Sequence, residues 1–141
     1  MAHRFALTVE GDLAALGRAQ RALERWVEAA ELAPRPAYRA QLVFEEIATN
    51  VLKYGWGEGE GPRAVAVEIE LEPEALRMAF RDRGRPFDPT AEPEPERPAS
   101  IADATAGGLG LGLVRKAAAE LAYRREGGEN VTELRIPLAG A

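Results

Sequence analysis

The 141-residue chain predicts a single α+β domain, residues 1–141, with helices laid over a largely antiparallel sheet. Three observations carry this. Two stretches in the N-terminal half repeat apolar residues at helical spacing. Several short stretches alternate apolar with polar residues. Glu72-Pro73-Glu74-Ala75 and Gly127-Gly128 have the composition of hairpin turns. The length is that of one domain with room for a real core.

Phe5, Leu7 and Val9 alternate within Arg4 to Glu10, which predicts a strand, and Gly11-Asp12 ends it with Asp12 as a helix N-cap. Leu13, Leu16, Gln20, Leu23 and Val27 fit a helix of about four turns, with Arg18, Arg21 and Arg25 outward. Pro34 and Pro36 close it, and a second helix starts at about Ala37 and stops near Gly55. Residues 55–62 are a glycine-rich loop. Val65, Val67, Ile69 and Leu71 alternate in a strand, and after the turn Leu76, Met78 and Phe80 alternate in its return, which runs into Arg81-Asp82. Residues 90–100 are acidic, proline-rich and aperiodic, which predicts a surface lid over about 88–106, with a short helical turn at 101–106. Gly107 to Gly112 lead into an alanine-rich helix reaching Leu121, and a hairpin from Tyr123 to Ile136 closes the chain.

Composition excludes several classes. There is no cysteine, so disulfides and thiolate metal sites are out and a reducing cytoplasm is allowed. No apolar run approaches the ~20 residues of a membrane helix. The start of the chain leads into a strand pattern, unlike a signal peptide. A net charge of −5 argues against a general nucleic-acid binder. The one histidine, His3, has no companion ligand.

Three motifs carry chemistry. In the second helix Glu46 and Asn50 stand four residues apart and so one above the other, with Tyr38 and Leu42 on adjoining turns. A carboxylate and an amide oxygen so aligned suit Mg²⁺, with the acid free to accept a proton. Asp82-Arg83-Gly84-Arg85-Pro86-Phe87 sets a carboxylate at a strand end, able to accept from an exocyclic amine. Gly84 removes a side chain where a flat ligand could lie close to backbone. Gly108-x-Gly110-x-Gly112 before a helix exposes backbone N–H groups suited to phosphate. These glycines lack the Gly-Lys-Ser/Thr ending of a P-loop and the flanking strand and acid of a dinucleotide fold. Taken singly, the first two motifs read better as a surface acid with a capped amide and as a polar turn, and the third reads equally as a flexible linker.

Their fixed order resembles the GHKL superfamily of gyrase, chaperone, histidine kinase and mismatch-repair ATPases, and within it the stand-alone serine kinases of bacterial partner-switching systems, the anti-sigma factors. The resemblance runs from about Phe5 to Leu138, which favours the stand-alone branch. It implies the Bergerat or histidine-kinase-like fold, a two-layer α/β sandwich with helices on one face of a mixed, mostly antiparallel sheet. It further implies ATP and Mg²⁺ as cofactors, Glu46 as general base and Asn50 as metal ligand. Asp82 would hold the adenine amine with Gly84 beside the ring, Gly108, Gly110 and Gly112 would line the phosphates, and Thr132 would act at the adenine through water.

The implied activity is Mg²⁺–ATP-dependent serine/threonine phosphorylation of an anti-sigma-factor antagonist of the STAS type, with capture of a sigma factor, by a cytoplasmic homodimer whose partner face includes Arg18 and Arg21. The other reading is a non-catalytic ATP-binding switch that binds a protein partner. The chain departs from the family in Lys53-Tyr54-Gly55, where many relatives have histidine before the glycine. It also departs in Glu45 beside Glu46, and in the acids Glu92, Glu94, Glu96 and Asp103 of the lid, set against Arg97.

Overall fold

Alternation from Arg4 builds strand β1 (Arg4–Glu10), and Asp12 caps helix α1 (Leu13–Ala29) by accepting from the Ala15 amide at 3.0 Å. The computed structural model describes residues 3–55, 63–88 and 111–139. The remaining elements are α2 (Pro34–Tyr54), β2 (Ala64–Leu71), β3 (Ala75–Asp82), α3 (Leu111–Ala117), β4 (Ala119–Glu126) and β5 (Glu129–Pro137). All of the predicted 55–62 loop but Gly55, the lid from residue 89 on and the short turn at 101–106 lie outside the described residues.

The five strands form one sheet in the order β1-β2-β3-β5-β4, and every ladder between them is antiparallel. The expected fold, helices over a mostly antiparallel sheet, is thus what the described residues form, with no parallel pair among the described strands. The two hairpins β2–β3 and β4–β5 pair antiparallel by construction, and β5 runs back along β3. Gly127 and Gly128 both have positive φ, as a tight two-residue hairpin turn requires.

One face of the sheet is apolar. Val65, Val67, Ile69, Leu76, Met78, Phe80, Leu134 and Ile136 are almost wholly buried there, under Leu23, Trp26 and Val27 of α1 and Val43, Phe44, Ile47 and Ala48 of α2. Burial on this scale is what holds the two layers together. The other face carries ion pairs such as Arg4–Glu68 and Arg124–Glu133, which suit a surface left to water.

Two helix boundaries differ from expectation. Helix α2 starts at Pro34, not Ala37, because Pro34 and Pro36 occupy its first turn, where a missing N–H costs nothing. Helix α3 stops at Ala117, where the Ala118 amide closes it on Val114, and Ala119 to Leu121 belong to β4. Pairing with β5 captures alanines whose local preference is helical. The join is irregular: Glu120 has φ 52° and the register shifts between Ala119 and Ala122.

Candidate functional site

Helix α2 presents Tyr38, Leu42, Glu46 and Asn50 as a single stripe that descends from solvent into the interior. Tyr38 is 67% exposed, Leu42 and Glu46 are half-buried, and Asn50 is 6% exposed. The fully buried face of the helix is centred on Val43, Phe44, Ile47 and Ala48, so Glu46 sits at its border and not within it. Burial, followed by repulsion from Glu45, raises the Glu46 carboxyl above its ordinary value of 4.5. Among the described residues, both ends of the Asn50 amide are buried with no hydrogen-bond partner. Leaving an amide in that state costs about 1–3 kcal/mol, so it calls for a partner that the described residues do not supply.

The end of α2 is fastened to the turn after β3. Arg63 caps α2 by donating to the Leu52 carbonyl at 2.6 Å, and the Arg85 amide donates to the Gly55 carbonyl at 2.7 Å. A Cβ on Gly84 would lie 2.4 Å from the Gly55 oxygen and 3.0 Å from Asp82 Oδ1. The neighbour that excludes a side chain at Gly84 is thus the chain's own backbone.

Asp82, at the end of β3, is buried, and its Oδ1 accepts from the Gly84 amide at 2.9 Å and from Asn130 Nδ2 at 3.0 Å. Burial raises its carboxyl above the ordinary value. The hydrogen bonds from Asn130 and Gly84 and the charge of Arg125 oppose that rise, and Glu129 adds to it.

Asn130 is the residue that sequence reasoning missed. It is buried on β5 directly across from Asp82 in the sheet register. Its Nδ2 also donates to the Arg85 carbonyl at 2.6 Å. Its Oδ1 accepts from the Phe87 amide, the Tyr123 hydroxyl and Arg125 Nη1. Two acceptors on one side and three donors on the other fix which way the amide points. Arg125 donates as well to the Gly84 carbonyl at 2.8 Å, so β3, its turn, β4 and β5 are tied at one point. The available signal was alternation: Asn130 shares the inward face of β5 with Leu134 and Ile136, a polar residue at the rim of an apolar row.

Thr132 lies two residues further along the same face, buried and opposite Phe80. Gly112 is in the first turn of α3. Gly108 and Gly110 fall outside the described residues. The structure thus links Asp82, Gly84 and the end of α2 through direct contacts, and keeps Glu46 and Asn50 on one stripe.

A two-layer sandwich with a buried acid locked at a strand end, and a helix with an unpartnered amide one turn below an acid, offers the kind of polar groups that fix a small ligand. Residues 9–136 match the family model of the histidine kinase-like ATPase domain, from the end of β1 almost to the end of β5, and the chain belongs to that family. Membership implies ATP binding. No curated protein matches the chain. Among the described residues, no helix is long and apolar enough to cross a membrane.

Proposed function

We propose that the protein is a Mg²⁺–ATP-dependent serine/threonine kinase of the bacterial partner-switching type, acting on a small STAS-type antagonist and holding a sigma factor in its alternate state. The observation that carries this reading is the Glu46–Asn50 stripe, an acid of raised proton affinity one turn above a buried amide without partners. The amide oxygen of Asn50 fits a metal-ligand role. Among the described residues no three His, Cys, Asp or Glu side chains converge. Mg²⁺ is ordinarily held by one or two protein ligands together with substrate phosphates, so a lone hard oxygen donor suffices. When bound, Mg²⁺ offsets the phosphate charge.

In this reading Asp82 receives the adenine amine on its second carboxylate oxygen, because Asn130 and the Gly84 amide hold the first. Gly84 lies beside the ring, Thr132 acts further in through water, and Gly108, Gly110 and Gly112 flank the phosphates. Glu46 takes the proton of the incoming hydroxyl. As the new bond from that oxygen to the γ-phosphorus forms, the bond from phosphorus to the bridging oxygen breaks and ADP leaves. A homodimer through β1 and α1, with the exposed Arg18 and Arg21 on its partner face, and a cytoplasmic location belong to the same reading.

The test is transfer of labelled phosphate from ATP to a candidate antagonist encoded nearby, with calorimetry of ATP and GTP alongside. Transfer to a serine or threonine and a preference for ATP support the kinase. ATP binding without transfer to any partner that the protein binds replaces it with the non-catalytic switch, which the acids Glu92, Glu94, Glu96 and Asp103 favour by their charge. Equal binding of ATP and GTP contradicts the role given to Asp82.

A further inference from the structure

A cleft of about 450 Å³ opens between the first half of α2 and α3, lined by Arg35, Tyr38, Arg39, Leu42, Leu113 and Lys116. Tyr38 at 67% and Leu113 at 48% exposure are two of the four large apolar side chains that the described residues leave open to water. Exposed aromatic and aliphatic groups set together among cations are the composition of a protein-binding hot spot. The chain carries a net charge of −5, yet the described lining of this cleft includes the cations Arg35 and Lys116 and no acid.

We infer that this cleft docks an acidic segment of the protein substrate that carries leucine or aromatic anchors, and that it sets the phosphoacceptor hydroxyl beside Glu46. The inference rests on the kinase reading and names how its substrate is held. Charge complementarity selects an acidic occupant, and the exposed Tyr38 and Leu113 call for apolar anchors on it. Continuity with the candidate site comes from the helix itself. Tyr38, Leu42, Glu46 and Asn50 follow one another at four-residue intervals, so Leu42 in the cleft wall is one turn, about 6 Å along the axis, from Glu46. An extended segment covers that span in about two residues. A hydroxyl just outside the docked anchor therefore reaches the acid.

The experiment uses the full chain and two fluorescent peptides, one rich in glutamate with two leucines around a central serine, the other with lysine at every glutamate. Anisotropy is expected to give the acidic peptide at least about tenfold tighter binding, weakened by salt. Tyr38→Ala and Lys116→Glu should each weaken it about fivefold or more, and Arg25→Glu, exposed on α1, should not. ATP affinity, read by calorimetry, should stay unchanged in all three variants.

Equal binding of the two peptides, or indifference to Tyr38→Ala and Lys116→Glu together, overturns the inference. Loss of ATP affinity in Lys116→Glu as large as the loss of peptide affinity also overturns it and gives the cations to the nucleotide. Binding to phosphatidylglycerol vesicles with no preference between peptides assigns the patch to a lipid surface instead. With ATP added, phosphorylation of both peptides at one rate leaves the kinase standing and removes the docking site. Selective binding without transfer keeps the docking site and removes the kinase.

Discussion

Asn50 and Glu46 set function against stability within a single turn of helix. An amide buried without partners is destabilising, so Asn50→Leu, close in volume, should stabilise the free protein by about 1–3 kcal/mol while abolishing Mg²⁺–ATP binding. Thermal melting and calorimetry check the two halves; a less stable variant that still binds the nucleotide contradicts both. Glu46 gives a pH signature. Its folded-state pKa lies above the ordinary 4.5, so the folded chain keeps the proton longer than the unfolded one, and stability falls as pH rises through that interval. Glu46→Gln should therefore melt higher than the parent at neutral pH, with the gain absent once pH is below the ordinary carboxylate range. Equal melting temperatures across the whole pH range would tell against the buried environment of this acid. Asn130→Ala strips donors from Asp82 and from the Arg85 carbonyl, which should cost about 1–3 kcal/mol and weaken ATP binding. Denaturant unfolding and calorimetry of that variant read both losses.

At the scale of elements, the contact between the end of α2 and the turn after β3 fixes where the candidate site can be. Gly84→Ala drives a Cβ to 2.4 Å from the Gly55 oxygen, and neither partner is a flexible side chain that can give way. It should lose about 1–3 kcal/mol and loosen ATP binding with it. Gly17→Ala on α1, where the new Cβ meets only Arg21 at 3.8 Å, should instead gain up to about 1 kcal/mol. Equal unfolding curves for the two variants would contradict the tie.

Much of this scale was legible in the chain. Strand β1, the Asp12 cap, the β2–β3 hairpin and the outward arginines of α1 all follow from periodicity and capping, which act over a few residues. The end of α3 was not legible, because alanine favours helix and only the pairing of Ala119 with Arg135 across the β4–β5 hairpin draws this stretch into a strand. Asn130 was hidden for a related reason. Alternation puts it on the inward face, but its meeting with Asp82 depends on the register of β3 against β5, which no local pattern encodes. The shared stripe of Glu46 and Asn50 was legible because spacing within one helix is a local fact.

Over the whole molecule, the sandwich has one dry layer and one wet face. The paired arginines and glutamates across the open face are exposed and exchange with water easily, so Arg4→Ala should leave the melting temperature nearly unchanged. What holds the domain is the apolar layer between sheet and helices, and the candidate site sits at its rim, where α2 and the ends of β3 and β5 meet. That arrangement makes one helix both packing surface and candidate active surface, and it makes Glu46 the residue on which the proposed function turns. The direct measurement is single-turnover transfer of phosphate from ATP to the antagonist by Glu46→Gln against the parent, with ATP affinity measured on the same samples. The account predicts transfer slowed by about 10²–10⁴-fold with ATP affinity nearly intact. Transfer at the parental rate would contradict it and pass the role of base to Glu45.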